Sequence, residues 1–432
     1  MEDYISVTQS SLGGDTRGGT EQHDAPVSHK SPYIPALDGL RGIAILLVLA
    51  YHFMGYNTKR GWVLQSFFAF NRSGWIGVDL FFVLSGFLIT RILLDVLGSR
   101  HYFRDFYVRR TLRIFPLYYL TLLVIFTAAH FVPALQSDAT EAVAHQQAWL
   151  WLYGTNIFDA WHNHLTFAGG WIELNHLWSL AVEEQFYLFW APVIFLCGIR
   201  KLPLMCLMMI VGALVLRIAL WLGGQSDLMA YMLTPCRMDT LALGALLATL
   251  HRIRPLSDLT RPAVLIASIG TALLIGWGIK RNGLNHSDPV IWTVGFTVIA
   301  LVCVSVLHLV VVAGDGSRVS KLLRTPVLAS IGKYSYAIYL FHWSLAPGMF
   351  AHLLPEAWMF SHMRYVPALL LRFVLVTAMT YALAVVSWNL FEKHFLKLKR
   401  FFDYDEPARA GARTAWDAGA VELVQPNLVG RR

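Results

Sequence analysis

The sequence predicts an all-α integral membrane protein, a polytopic bundle of about ten transmembrane helices. Three observations predict it. Hydrophobic residues make up 56% of the 432-residue chain and charged residues only 14%, where a soluble domain carries about 25% charged residues. The mean hydropathy is +0.51. The apolar residues gather in runs of about 20, the length at which an α-helix crosses a ~30 Å hydrocarbon core. A helix satisfies all its backbone polar groups within one segment, so runs of this kind read as helices.

The runs fall near residues 36–54, 75–97, 112–132, 183–199, 203–222, 230–250, 262–280, 290–313, 327–350 and 367–391. The stretch around 149–157 is apolar but short, and reads as interfacial or re-entrant. Residues 34–395 form the expected membrane domain, between tails at 1–33 and 396–432. The first tail is polar with no apolar core, so it reads as disordered rather than as a signal peptide. No internal repeat is visible, which weakens an inverted-repeat transporter.

Lys and Arg set the orientation. Arg100, Arg104, Arg109, Arg110 and Arg113 follow the second run, Arg200 and Lys201 the fourth, and Arg252, Arg254 and Arg261 the sixth. Arg318, Lys321 and Arg324 follow the eighth, and Lys393, Lys397, Lys399 and Arg400 the last. With ten crossings these lie on one side, the cytoplasmic side by the positive-inside rule. Both termini are then cytoplasmic. The loop 132–182 carries Asp138, Glu141, Asp159 and Glu173 but no Lys or Arg, and lies outside. Lys59, Arg60, Arg72, Lys280 and Arg281 dissent mildly.

The net charge of +8 does not point to nucleic acid, because the basic residues fall between apolar runs rather than on one domain. The four cysteines form no CxxC pair, and the histidines are not spaced as metal ligands on one helix. No disulfide framework, metal site or permanently bound cofactor is expected.

Ionisable residues at membrane depth are functional candidates by default. Arg41 lies near the cytoplasmic end of the first run and His52 near its outer end, ~16 Å further at 1.5 Å per residue. Asp79 lies near the outer end of the second run, Glu183 and Glu184 open the fourth after His176, Arg237 and Asp239 sit near the outer end of the sixth, and His342 lies in the outer half of the ninth. The bland readings are an interfacial His52, a structural Asp79–Arg237 pair and helix-capping glutamates. Arg110 and Arg113, three apart on one helix face, read either as a topology anchor or as a phosphate site.

At these residues the chain resembles acyltransferase family 3, integral-membrane enzymes that O-acylate cell-envelope carbohydrates and some secondary metabolites. The resemblance runs through "LDGLRGIAILLVLAYHF" (Arg41, His52), "GWIGVDLFFVLSGFLIT" (Asp79, Ser85), "FYVRRTLRIFPLYYL" (Arg110, Arg113), "HLWSLAVEEQFYLFW" (Glu183, Glu184), "RMDTLALGALLA" (Arg237) and "GKYSYAIYLFHW" (His342). Six strings in order cover most of 34–395 and are specific together.

The resemblance implies acyl-coenzyme A, usually acetyl-CoA, as the cytoplasmic donor. It implies a carbohydrate, glycolipid or small-molecule hydroxyl as acceptor at the outer face of the cytoplasmic membrane. Some members carry an extra extracytoplasmic hydrolase-like domain; only about 40 residues follow the tenth run here, so handoff to a fused domain is not expected. Acyl transfer needs a base and a stabilised oxyanion. His52 is the expected base, or transiently the acyl carrier, with Asp79 or Glu184 as its carboxylate partner and Glu183 beside them. Arg110 and Arg113 would hold the phosphates of the donor, with Arg41 further along its path. Arg237 would contact the oxyanion or substrate, and His342 belongs with the binding residues. Ser85 reads as a packing residue. The rival from another class is a flippase for lipid-linked sugars, which would not cleave a thioester. Acceptor identity, acyl length and oligomeric state are not legible.

Overall fold

A computed structural model describes residues 33–54, 62–169, 171–344 and 356–402. Lys59, Arg60 and nearly all of both expected tails lie outside the described residues. The described residues are mainly helical. In chain order they form α1 (Ala36–Phe53), α2 (Trp62–Arg72), α3 (Ile76–Asp95) and α4 (Tyr102–Phe131). Three short helices follow, α5 (Asp138–His145), α6 (Gln147–Trp151) and α7 (Thr155–His162), then a two-stranded hairpin pairing Ala168 with Glu173 and Gly169 with Ile172. Next come α8 (Trp178–Leu222), α9 (Asp227–Met232), α10 (Thr234–Ile253) and α11 (Leu256–Arg281). A π-turn, Ile291–Gly295, leads into α12 (Phe296–Val312). Then come α13 (Arg318–Leu323), α14 (Pro326–Lys333), α15 (Ser335–Ser344) and the helices Glu356–His362 and Tyr365–Ser387.

Seven helices among the described residues are long and apolar enough to cross a membrane. One of them, Asn175–Leu222, would be ~70 Å long if straight, more than twice a hydrocarbon core. It is interrupted at Gly198 (φ 58°, ψ 170°), a conformation that glycine alone adopts freely. The expected runs 183–199 and 203–222 lie largely on either side of that break. Two further expected spans are helical but outside the seven. α10 carries Arg237, Asp239 and Arg252, which lower its hydropathy, and the ninth run is divided between α14 and α15 at Tyr334.

Two boundaries differ from the sequence reading in ways that matter. α4 starts at Tyr102, ten residues before the expected run 112–132, so Arg104 and Arg109 stand on the same helix as Arg110 and Arg113. α8 starts at Trp178, so Glu183 and Glu184 lie past its first turn instead of opening it. Their helix capping role disappears, because the free amide groups lie nearer the helix start.

Glycines let the long helices approach closely. A Cβ on Gly86 of α3 would collide with the carbonyl of Leu241, and one on Gly244 of α10 with that of Val83. Gly42 of α1 and Gly332 of α14 are equally tight against backbone of the facing helix, and Gly39 of α1 against Leu323 of α13. Small residues of this kind permit backbone contact between membrane helices. An ion pair between Asp95 and Arg252 ties the expected cytoplasmic ends of α3 and α10.

The segment α6–α7 packs against the middle of α4. Its irregular backbone is satisfied by side chains: Tyr118 donates to Leu150 O at 2.8 Å, Tyr119 to Trp151 O at 3.1 Å and Gln185 to Tyr153 O at 2.9 Å. Tyr153, between the two helices, has φ 52°, the left-handed region that bulky side chains avoid. Its ring stacks on Tyr118 with centroids 4.2 Å apart. Non-helical backbone deep in a bundle persists only where protein groups satisfy it.

Candidate functional site

The first polar centre gathers histidines from three elements. His52 stands near the end of α1, its Nδ1 donating to Val48 O at 2.9 Å. A carbonyl only accepts, so Nδ1 carries the proton and Nε2 keeps the lone pair. The His342 ring lies 5.0 Å from that of His52, and Trp343 lies 4.6 Å from it on another side. His342 is fully buried, with Nδ1 donating to Tyr339 O at 2.6 Å. His176, in a short turn before α8, lies 5.0 Å from His342. Glu173 hydrogen-bonds to Trp343, and burial raises its carboxyl pKa against that bond.

The carboxylates expected beside His52 have other partners. Asp79 and Arg237 form a fully buried ion pair between α3 and α10. Arg237 also lies over the rings of Phe296 (4.2 Å), Tyr231 and Phe82. A second buried pair stands beside it, Arg217 to Asp239 at 2.7 Å, with Thr297 bonding both. Opposite charges without solvent must find each other, which explains why Asp79 follows Arg237. For His52, the Val48 carbonyl takes the orienting position that a carboxylate was expected to hold.

Glu183 and Glu184 belong to a second centre, deeper along α8. Glu183 lies within reach of the Ser85 and Tyr187 hydroxyls, and Arg110 is the leading positive influence on both glutamates. The Arg110 guanidinium lies 3.9 Å over the Tyr187 ring. Ser85 and Tyr187 also bond each other, so Ser85 serves this polar centre rather than only helix packing. The Tyr153 hydroxyl is buried here without a partner among the described residues, within electrostatic reach of Glu184, Tyr118 and Tyr336.

The third centre lies about one turn of α4 beyond Arg110, around Arg113. Arg113 is half-buried and feels the like charges of Arg41 and Arg110 before the weaker attractions of Glu392 and Asp38. It makes no hydrogen bond to a described residue. Arg41 reaches Asp38 only at 3.3 Å, and Asp38 also accepts from Tyr33. Three guanidinium groups crowd together with one hydrogen-bond fork unused, an arrangement suited to an oxyanion or phosphate.

Sequence reasoning thus named most of the charged groups but not all their neighbours. Arg217 interrupts the apolar string "GALVLRIALW", so the intramembrane-charge rule could have found it. His176 was visible in the outer loop without a role. Tyr153, Tyr187 and Trp343 carry no signal in a chain with 13% aromatics.

The chain is similar to known proteins over most of its length. The family described as "Acyltransferase domain" matches residues 34–389. The chain is 29% identical over 331 residues to the peptidoglycan O-acetyltransferase OatA of Listeria monocytogenes, covering 72% of this chain and 49% of that protein. It is 30% identical over 329 residues to the putative peptidoglycan O-acetyltransferase YrhL of Bacillus subtilis, covering 72% and 48%. A putative O-acetyltransferase of Staphylococcus aureus is 30% identical over 332 residues, covering 73% and 51%. The chain spans about half the length of these relatives. No solved structure matches it significantly.

Proposed function

The chain belongs to the membrane acyltransferase family matched over residues 34–389, and from that premise we propose that it is an O-acyltransferase of the cytoplasmic membrane. It moves an acyl group, acetyl by analogy with its relatives' names, from cytoplasmic acyl-CoA to a carbohydrate hydroxyl at the outer face. The relatives' names favour a peptidoglycan-type glycan as acceptor.

The observation that carries the reading is the arginine cluster. Arg113 is half-buried, flanked by like charges and without a hydrogen-bond acceptor among the described residues. A donor phosphate would supply the missing acceptor. Arg41 shares α1 with His52, so one rigid helix relates the donor end to the base. Ten crossings, with both termini cytoplasmic, put the arginines inside and His52 toward the outside.

In the mechanism, Arg113, Arg110 and Arg41 hold the phosphates of the donor and draw its acyl end into the bundle. His52 Nε2, the nitrogen with the free lone pair, removes the proton of the acceptor hydroxyl as the oxygen attacks the thioester carbon. The Val48 carbonyl holds the ring and favours the imidazolium that results. The C–O bond forms, the C–S bond breaks, and the coenzyme A thiolate takes the proton back. Glu183, Glu184 and Arg110 line the path between the two ends. The membrane domain is 34–395, flanked by cytoplasmic tails.

Purified protein in nanodiscs, given radiolabelled acetyl-CoA and envelope glycan, should move label to the glycan. His52→Ala should lose transfer at unchanged stability; near wild-type turnover would remove His52 from the chemistry. Arg113→Lys should raise the KM for acetyl-CoA, since a point charge cannot reproduce the guanidinium fork. An unchanged KM would leave Arg113 as a topology anchor.

A further inference from the structure

Two buried imidazoles near His52 each carry a nitrogen lone pair that nothing in the described structure satisfies. His342 is 0% exposed; its Nδ1–H donates to Tyr339 O at 2.6 Å, and its Nε2 has no partner among the described residues. His176 is 5% exposed; its Nε2–H donates to Leu340 O at 3.3 Å, and its Nδ1 has none. The rings lie 5.0 Å apart at 76°.

Neither arrangement is loose. The His176 carbonyl accepts from the Tyr339 hydroxyl at 2.9 Å, and that hydroxyl oxygen in turn accepts from Ser179 at 2.6 Å. The turn that carries His176 is therefore fixed, and so are both tautomers. A buried acceptor without a donor is destabilising, and a water, an ion, a ligand or a catalytic role must account for it.

We propose that His176 and His342 form the niche that receives the acceptor's hydroxyl groups, each imidazole nitrogen accepting one O–H. The chemistry of the niche selects a neutral hydroxyl ligand. Both free positions are acceptors, so the ligand must donate. Among the described residues no three His, Cys, Asp or Glu are placed to share a metal ion. Among the described residues no carboxylate partners either histidine, so none of them favours a cation there. Trp343 presents an aromatic wall beside His52 and is itself tied to Glu173. Neighbouring hydroxyls of a sugar ring offer paired O–H donors beside such a wall. His342 lies between His176 and His52, so a hydroxyl held there is delivered to the base. The identity of the ligand as an acceptor rests on the acyl-transfer reading; the two unsatisfied nitrogens do not.

The test is nitrogen NMR on protein carrying 15N-histidine in nanodiscs, titrated with a β-1,4-linked N-acetylglucosamine tetramer. The resonances are assigned with His176→Phe and His342→Phe. The expected result is a saturable upfield shift of His176 Nδ1 and His342 Nε2, also in His52→Ala, which lacks the base but keeps the niche. In steady-state assays His176→Phe should raise the acceptor KM at least tenfold and leave the acetyl-CoA KM unchanged. His176→Asn, which can present an amide oxygen, should recover part of the loss.

Resonances already at hydrogen-bonded positions and unmoved by the tetramer would mean that water fills the niche, and would overturn the proposal. So would wild-type transfer to the tetramer with both resonances still. A saturable shift in a protein that never cleaves acetyl-CoA would uphold the niche and overturn the acyltransferase reading instead.

Discussion

The Asp79–Arg237 pair gives the sharpest test of how the bundle tolerates charge. Both side chains are 0% exposed. Asp79 Oδ2 and two Arg237 nitrogens, Nε and one terminal amine, have no partner among the described residues. Nothing nearby can replace a lost partner, since Asp239 is already held by Arg217, Thr297 and Thr240. Asp79→Asn strands a guanidinium against aromatic rings, and Arg237→Gln strands a carboxylate. Breaking one side of a buried pair costs about 3–5 kcal/mol because it strands the other charge, whereas removing both charges strands none. The double variant should therefore be more stable than either single one, with a coupling energy of at least ~2 kcal/mol. Equilibrium unfolding of the four proteins in nanodiscs measures this directly. Losses that simply add, or single variants within ~0.5 kcal/mol of the wild type, would refute the isolated-pair account. Activity of the double variant then decides a separate matter: a stable but inactive protein would make Arg237 a substrate contact as well as a structural charge.

Gly244→Leu should abolish a folded, monodisperse preparation by separating α10 from α3, whereas Gly212→Leu, where an added Cβ meets nothing within 4 Å, should behave as wild type in size exclusion. Tyr153→Phe keeps the stack on Tyr118 and removes an unpartnered buried hydroxyl, so it should be more stable by about 1 kcal/mol. If that hydroxyl meets the substrate, turnover should fall in the same variant; full activity would make it merely a strained packing residue. Burial pushes the Asp159 carboxyl up to about 6, although the Thr166 amide donates to it at 3.0 Å. The folded state then holds a proton that the unfolded chain, with a carboxyl near ~3.9, gives up. Stability should fall as pH rises from about 4 to 6. Asp159→Asn should flatten that slope in a pH series of melting temperatures; an unchanged slope would place the titration elsewhere.

The membrane-protein class was legible because lipid imposes a strong compositional rule: apolar runs of fixed length with few charges. The charged candidates were legible for the same reason, and Arg41, His52, Asp79 and Arg237 all stood out against their runs. Partner choice was not. Whether Asp79 meets His52 or Arg237 depends on the rotation of α3 about its axis, which periodicity cannot report in a helix apolar on nearly every face. The division of the ninth run was hidden too, since Tyr334 is neither Gly nor Pro. Glu183 and Glu184 were misplaced by one turn because the helix starts in the half-polar string "NHLW", where hydropathy gives no edge.

The side-chain caps on the segment between α6 and α7 also constrain how the protein is made. Leu150, Trp151 and Tyr153 give their carbonyls to Tyr118, Tyr119 and Gln185. The first two partners emerge from the ribosome before this segment, but Gln185 emerges after it, on α8. Until α8 is inserted, the Tyr153 carbonyl lacks its partner and the segment cannot settle against α4 without an unsatisfied polar group. Docking of this segment against α4 is therefore expected to follow the insertion of α8 during synthesis.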